Sequence, residues 1–166
     1  MIDIIEGNEG HIPTIVEIAV KTWHATYASI LEPKQMTFML EAIYGEHELQ
    51  KVMKEGSQKF LLLRDKRGFQ GFASYGARKE DPAIFKLHKI YILPHNQGKG
   101  YGRLLLEEIK NRVRKHGSSI LDLNVNRYNP AREFYKKLGF VIIREEDVPI
   151  GEYFMNDYVM RLEIGQ

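Results

Sequence analysis

Cysteine is absent from the chain, which excludes disulfide bonds and metal sites built on thiolates. The chain also lacks an excess of charge of one sign. Its 24 Lys and Arg residues nearly balance its 22 Asp and Glu residues, so the net charge is +2. Proteins dedicated to nucleic-acid binding carry a strong basic excess, so we expect no nucleic-acid partner.

Long apolar runs are missing as well. No stretch approaches the roughly 18 apolar residues that cross a membrane, so we expect no membrane partner. The first residues, Met1 to Glu6, lack the basic start and the extended apolar segment of a secretion signal. We therefore predict a cytoplasmic protein.

Internal repeats, low-complexity tracts and linkers rich in Pro, Gly and Ser are not found in the sequence. The 166 residues, of which 43% are hydrophobic, suffice for one domain with a buried core. We predict a single domain over residues 1–166. No group of His, Asp and Glu residues has the spacing of metal ligands, so no metal site is predicted.

Hydrophobic periodicity predicts a series of strands and helices. Helices are predicted over 12–28, 33–44, 47–55, 101–116 and 129–138, and strands over 2–6, 60–63, 69–77, 84–93, 120–126, 140–144 and 153–162. The long helix at 101–116 is a crossover, which makes the strands on either side of it parallel, whereas the hairpin-linked strands are antiparallel. This order predicts an α/β fold with a mixed, largely antiparallel sheet and helices on both faces.

A glycine-rich segment, Gln97 to Gly102, lies between a predicted strand and the long predicted helix. Backbone N–H groups at the start of a helix are unpaired and carry partial positive charge. Glycines let a phosphate approach these groups closely, so the segment predicts a phosphate site. A flexible strand-to-helix connection is the alternative interpretation.

The spacing within this segment argues against the two common nucleotide loops. A dinucleotide fingerprint that starts at Gly98 needs a third glycine where Arg103 stands, although Asp122, 20 residues beyond Gly102, fits the acidic residue of that fingerprint and leaves this alternative open. A nucleoside triphosphate loop needs Ser or Thr after the lysine, but Gly100 follows Lys99.

Two segments together resemble the GNAT family of N-acetyltransferases. Gln97-Gly98-Lys99-Gly100-Tyr101-Gly102 matches the family pattern Gln/Arg-x-x-Gly-x-Gly/Ala. The stretch from Ala131 to Phe140 matches a second pattern, Ala-x-x-Phe-Tyr-x-x-x-Gly-Phe. The resemblance implies acetyl-coenzyme A (acetyl-CoA) as cofactor and a parallel strand pair that splays apart where the coenzyme binds.

The same resemblance implies the roles of the residues that bind the coenzyme. The backbone of Gly98 to Gly102 holds the pyrophosphate, and the N–H of Ile92 faces the thioester carbonyl, where negative charge develops. Either Asn126 or Asn129 takes the place of the family's asparagine. The residues expected to contact the coenzyme are Ile90, Tyr91, Ile92, Gln97, Gly98, Lys99, Gly100, Tyr101, Gly102, Asn126 and Asn129.

Catalytic roles follow from the resemblance too. Tyr135 occupies the position of the family's general acid, although its helical spacing also fits a core tyrosine. His88 is our candidate for the general base, because a histidine titrates near neutral pH and shares a strand face with Ile90 and Ile92. A histidine packed within the sheet is the equal alternative. His24 and Tyr27 lie in the region that borders the acceptor site.

We therefore predict transfer of an acetyl group from acetyl-CoA to a small primary amine by direct attack. Short stretches such as Trp23 to Tyr27 and Asn156 to Met160 look similar to bacterial polyamine N-acetyltransferases, which suggests a polyamine. A protein N-terminus or lysine is the nearest alternative acceptor, and a non-catalytic sensor of acyl-CoA is the alternative from another class. A homodimer is left open.

Overall fold

The computed structural model describes residues 1–165, and this part of the chain contains seven β-strands and five α-helices. The strands are β1 (Asp3–Glu6), β2 (Lys59–Asp65), β3 (Gly68–Ala77), β4 (Phe85–Ile92), β5 (Ile120–Asn126), β6 (Val141–Ile150) and β7 (Tyr153–Glu163). The helices are α1 (Ile12–Tyr27), α2 (Pro33–Tyr44), α3 (Glu46–Glu55), α4 (Tyr101–Lys115) and α5 (Ala131–Lys137).

The chain divides into two compact units, of which the first comprises residues 1–76 and 88–109. Its strands follow the order β1-β2-β3-β4, and the pairs β1–β2 and β2–β3 are antiparallel. The run from Leu61 to Leu63 has no exposed surface, as expected for a strand covered on both faces. Trp23, Tyr44 and Phe72 add an aromatic cluster to this core.

The second unit comprises residues 77–87 and 110–165, and its strands follow the order β4-β5-β7-β6. Its parallel pair joins β4 and β5 over three residue pairs, from Phe85 opposite Leu121 to Leu87 opposite Leu123. The pairs β5–β7 and β6–β7 are antiparallel. The observed sheet is therefore mixed and largely antiparallel, which confirms the predicted fold class.

A buried ionic cluster ties the second unit together. The Asp122 side chain on β5 is fully buried, and Arg161 on β7 donates to both of its oxygens over 2.7 and 3.0 Å. Arg78 adds a third hydrogen bond over 3.1 Å. The sequence alternation places Asp122 on a polar strand face, and the structure shows that two arginines cover this position instead of water. Such pairing is what allows a carboxylate to be buried.

The predicted helices and strands are present, and their bounds agree within a few residues except in β6. We predicted that this strand ends at Arg144, but it continues to Ile150 and pairs with β7 throughout. The charged run Glu145-Glu146-Asp147 is typical of a loop, yet an exposed edge strand accommodates such residues readily. The single domain stays a prediction. Across residues 1–165, no helix combines the length and the apolar character needed to span a membrane.

Candidate active site

The glycine-rich loop lies in the first unit, between a 3₁₀ turn at Pro94–Asn96 and helix α4. Gly98 and Gly100 have φ angles of +85° and +84°, which side chains with a Cβ rarely adopt. A Cβ built on either glycine would meet no atom within 4 Å. These glycines therefore allow a backbone conformation that other residues rarely adopt, and they leave the space above the loop open.

The amides of this loop are available to a ligand. Within residues 1–165, the N–H groups of residues 98–103 donate to no acceptor. Residues 97–100 are exposed, and α4, which begins at Tyr101, adds the positive end of its dipole. Unpaired donors around an open, side-chain-free space fit a diphosphate, so the loop is suited to the pyrophosphate of coenzyme A.

A buried asparagine anchors the start of this loop. Asn96 has no exposed surface, and its amide nitrogen donates to the side-chain oxygen of Gln70 on β3. Its oxygen accepts hydrogen bonds from Arg67 over 2.6 Å and from the amino group of Lys99 over 3.2 Å. This contact fixes the position of the Lys99 amino group within the loop.

A carboxylate at the end of β2 anchors the other end of the loop. The Asp65 side chain accepts hydrogen bonds from the hydroxyl of Tyr101 over 2.8 Å and from the Arg67 guanidinium over 2.7 Å. The hydrogen bonds from Arg67 hold the pKa of the Asp65 carboxyl well below its usual range. The β2–β3 hairpin turn therefore fixes both the first residue of α4 and, through Arg67, the turn before the loop.

Replacing Asp65 by Asn should lower the thermal unfolding midpoint at pH 7 by about 2–4 °C and raise the Michaelis constant for acetyl-CoA. The depressed folded-state pKa means that the ionised carboxylate stabilises the fold above the unfolded pKa of about 3.9. This stabilisation is lost as the pH falls through the lower folded-state value. Circular dichroism melts at pH 7 and pH 3 should therefore show a difference that shrinks at the lower pH.

Asp3→Asn is the matched control, because Asp3 pairs with Arg64 over 3.4 Å on a half-exposed surface. Exposed ion pairs contribute little to stability, so this variant should have nearly the wild-type midpoint. Equal effects of the two substitutions at pH 7 would show that Asp65 has no special role in holding the loop.

Strand β4 carries the proposed base and the strand end expected to contact the coenzyme. Burial alternates along the strand up to Ile90: Leu87 and Lys89 are buried, whereas His88 and Ile90 are half-buried. Ile92 is also half-buried, and its carbonyl accepts a hydrogen bond from the Gln97 side chain over 3.3 Å. The structure therefore links the loop to the end of the strand.

Tyr91 points into the aromatic cluster of the first unit. Its hydroxyl accepts a hydrogen bond from the indole nitrogen of Trp23 over 3.3 Å, and its ring lies edge-on to Tyr44 at 6.0 Å. Burial raises the pKa of Tyr44 well above its usual range. These contacts give Tyr91 a packing role, and they connect the end of helix α1 to β4.

Tyr27 and His24, which we predicted to border the acceptor site, differ in their exposure to solvent. Tyr27 is 5% exposed, and its ring packs on Trp23 with the ring centres 4.6 Å apart. His24, one turn earlier in α1, is exposed. Of this pair, His24 is the one that can meet a molecule from solvent.

Tyr135 lies in the second unit, on helix α5. It is 8% exposed, and its ring makes edge-on contacts with Phe134 and Phe140 at 5.5 and 5.8 Å. The ring therefore belongs to the local core, as the helical spacing allows, and the core fixes its orientation. A fixed ring is also what a positioned proton donor requires.

The two candidate asparagines are also in the second unit. Asn126 is 4% exposed, and its amide contacts the sulfur of Met155 and accepts a hydrogen bond from the backbone N–H of Tyr128. Asn129 is half-exposed, and its oxygen accepts a hydrogen bond from the backbone N–H of Ala131 at the start of α5. Both oxygens shape local turns, and because Asn129 is the more exposed of the two it is the better candidate for contact with the coenzyme.

Sequence reasoning missed the residues that anchor the loop, namely Asp65, Arg67, Gln70 and Asn96. Three of them lie about 30 positions before the loop, in or beside the β2–β3 hairpin turn, where Asp and Arg are ordinary. The one local signal was Asn96 itself, directly before the matched pattern. Within residues 1–165, no group of three His, Asp or Glu side chains is arranged to hold a metal ion.

A model of the acetyltransferase (GNAT) domain family matches residues 24–156 of this chain, which is most of its length. The chain belongs to the GNAT acetyltransferase family. Members transfer an acetyl group from acetyl-CoA, so the predicted family, enzyme class and cofactor are confirmed.

Sequence similarity to two N-acetyltransferases supports this family assignment. The chain is 26% identical over 152 residues to the N-acetyltransferase YuaI of Bacillus subtilis, covering 90% of this chain and 86% of the relative. It is 42% identical over 91 residues to the [ribosomal protein bS18]-alanine N-acetyltransferase of Haemophilus influenzae, covering 54% of this chain and 60% of the relative.

A solved structure shares the fold. The PaiA N-acetyltransferase of Thermoplasma acidophilum, crystallised with coenzyme A, superposes with a TM-score of 0.83 at 24% identity and covers 98% of this chain and 99% of its own. At this identity the likeness concerns the fold.

Proposed function

We propose that this GNAT acetyltransferase acetylates a primary amine of a small molecule by direct attack of the amine on the acetyl thioester. The observation that carries the proposal is the open, anchored loop at Gly98–Gly102 with its unpaired amides. Such a loop serves to hold a phosphorylated donor, while a separate nucleophile comes from solution.

Acetyl-CoA, when bound, supplies the acetyl group as an activated thioester. The backbone of the loop binds its pyrophosphate, and the end of β4 at Ile90–Ile92 contacts the adjoining arm of the coenzyme. In this proposal the Ile92 N–H donates a hydrogen bond to the carbonyl oxygen of the acetyl group, where charge grows in the transition state. Asn129 adds a polar contact at the start of α5.

Two side chains move protons. An alkylammonium has a pKa near 10.4, so the acceptor must lose a proton before it attacks, and His88 is our proposed base. The departing thiolate needs a proton, and Tyr135 is our proposed donor. The half-exposed position of His88 and the packed ring of Tyr135 support these roles.

A polyamine is our preferred acceptor. The helix α1 end, with exposed His24 beside buried Trp23 and Tyr27, supports an acceptor that approaches from solvent. The chain would act in the cytoplasm, as proposed from its sequence, and a homodimer stays open.

A protein N-terminus is the second candidate acceptor. It is favoured by the 42% identity over 91 residues to an enzyme named for acetylating the alanine of ribosomal protein bS18. That match covers about half of this chain, so it supports the shared transfer chemistry more than the acceptor.

A thiol-release assay with acetyl-CoA distinguishes these candidates. The panel contains spermidine, a simple monoamine, a peptide with an N-terminal alanine, and an N-terminally blocked peptide with one lysine. We expect thiol release to be fastest with spermidine. Release with the alanine peptide alone would select the second candidate, and coenzyme binding without release for any acceptor would identify a non-catalytic sensor.

A further inference from the structure

The second unit contains a polar cluster on one face of its sheet that the proposed chemistry has not used. Asp157 on β7 lies opposite both Asn126 on β5 and Glu146 on β6 in the strand register. Residues opposite each other in antiparallel strands project from the same face, and Asn124 shares that face because it is two residues from Asn126. Asp157, Asn124 and Glu146 form what we call the carboxylate cluster.

One amide group holds this cluster together. The side-chain nitrogen of Asn124 donates to Asp157 Oδ2 and to Glu146 Oε2, each over 3.2 Å. These two contacts fix the orientation of the amide, since the reverse orientation would place its oxygen against two carboxylates. The oxygen of Asn124 therefore points away from both.

Two buried acceptors are left over. Within residues 1–165, three buried side-chain atoms have no hydrogen-bond partner: the donor Nη2 of Arg78, whose guanidinium is bound to Asp122, and the acceptors Asp157 Oδ1 and Asn124 Oδ1 of the carboxylate cluster. Asp157 as a whole is 6% exposed. Buried acceptors without a partner are costly, and here both unpaired atoms of the cluster are of the same kind. What they lack is a hydrogen-bond donor.

The charges around Asp157 indicate that the missing hydrogen-bond donor is a cation. Burial raises the pKa of Asp157 to about 6; the hydrogen bond from Asn124 and the charges of Lys86 and Arg127 oppose this rise, and the charge of Glu146 adds to it. Arg127 is engaged elsewhere, with Asp147 and the backbone of Asp157. Desolvation and the charge of Arg78 lower the pKa of Lys86, whereas the charges of Glu146 and Asp157 oppose this. A cation that enters from outside would relieve both acceptors.

We propose that Asp157, Asn124 and Glu146 form a binding site for an alkylammonium group of the acceptor substrate. An ammonium brings three N–H donors and one positive charge, which match the unpaired oxygens of Asp157 and Asn124 and the neighbouring carboxylate of Glu146. This inference rests on the proposed function, because it gives a cationic group of the proposed amine acceptor a binding site in the second unit. In this site Asp157 Oδ1 and Asn124 Oδ1 accept N–H groups of the ammonium, and the Asn124 amide nitrogen also positions the Asp157 carboxylate.

Titration calorimetry with spermidine, at pH 8 and with coenzyme A present, tests the site. Asp157→Asn keeps the size of the side chain and removes its charge, so spermidine affinity should fall tenfold or more, on the order of the loss of a buried charge partner. Glu146→Gln should show a smaller fall. Glu163→Gln, an exposed position on the same strand, should bind as the wild type does.

Stability separates binding from a structural role. Because the folded-state pKa of Asp157 is raised, its ionised form destabilises the fold at neutral pH, so Asp157→Asn should melt at or above the wild-type temperature. In the thiol-release assay this variant should raise the Michaelis constant for spermidine and leave that for acetyl-CoA unchanged. A lower melting temperature with unchanged spermidine affinity would make Asp157 a structural residue.

Two further outcomes overturn the site: wild-type protein that binds no spermidine, or variants that bind it equally well. The proposed function fails separately, if no amine supports thiol release. Spermidine binding that depends on Asp157, without acetyl transfer, would leave the cation site standing and remove the transfer reaction.

Discussion

Gly100→Glu should abolish coenzyme A binding in titration calorimetry, with a loss of affinity of at least about 10²–10³-fold. The residue has a φ angle of +84° and faces open space, which is where the pyrophosphate is expected. A glutamate there fills the space and brings a negative charge against the diphosphate. Like charges brought together in this way cost several kcal/mol.

The chain offers a matched control for the backbone strain of this substitution. Gly117, which follows α4, has a φ angle of +83°, and a Cβ added to it would also meet no atom within 4 Å. Gly117→Glu introduces the same charge and a similar strain of about 1–2 kcal/mol away from the loop. Gly117→Glu should bind coenzyme A with wild-type affinity. If Gly100→Glu also kept wild-type affinity, the loop would not be part of the coenzyme site.

The loop could be predicted because all of its determinants are local. Gly98 and Gly100 lie between a strand and an amphipathic helix and Gly102 lies in the first turn of that helix, and no distant residue is needed to recognise this pattern. The helix α4 was equally predictable, since Leu105, Ile109 and Val113 repeat on one side and are fully buried.

What anchors the loop could not be predicted, because it depends on strand pairing. Asp65 and Tyr101 are 36 positions apart, and their hydrogen bond exists only when β2 and β3 bring the hairpin turn beside α4. The sequence shows an Asp and an Arg in a turn, which is ordinary composition.

The carboxylate cluster illustrates a second limit. The alternation of Asp122, Asn124 and Asn126 along β5 indicates a polar face, and such a face is usually solvated. The structure instead buries Asp122 and Asn126, and it places Asp157 opposite Asn126. Only the register of β5, β6 and β7 distinguishes a solvated face from a set of buried acceptors.

The largest effect on turnover itself is expected for Tyr135→Phe, which should lower kcat by about 10²-fold or more, the usual contribution of a general acid. The variant keeps the ring and with it the edge-on contacts to Phe134 and Phe140, so the local core is preserved. Only the hydroxyl is removed. The Michaelis constant for acetyl-CoA and the melting temperature should therefore change little, while the rate of thiol release falls.

Tyr158→Phe is the control for the loss of a hydroxyl from the second unit, because its ring remains beside Arg127 at 5.8 Å. This variant should retain wild-type turnover. If Tyr135→Phe were equally active, the buried ring would be a core element and the thiolate would take its proton from another source. If turnover fell together with the melting temperature, a structural role of the hydroxyl would account for the loss, because a general acid contributes to the transition state and not to the stability of the fold.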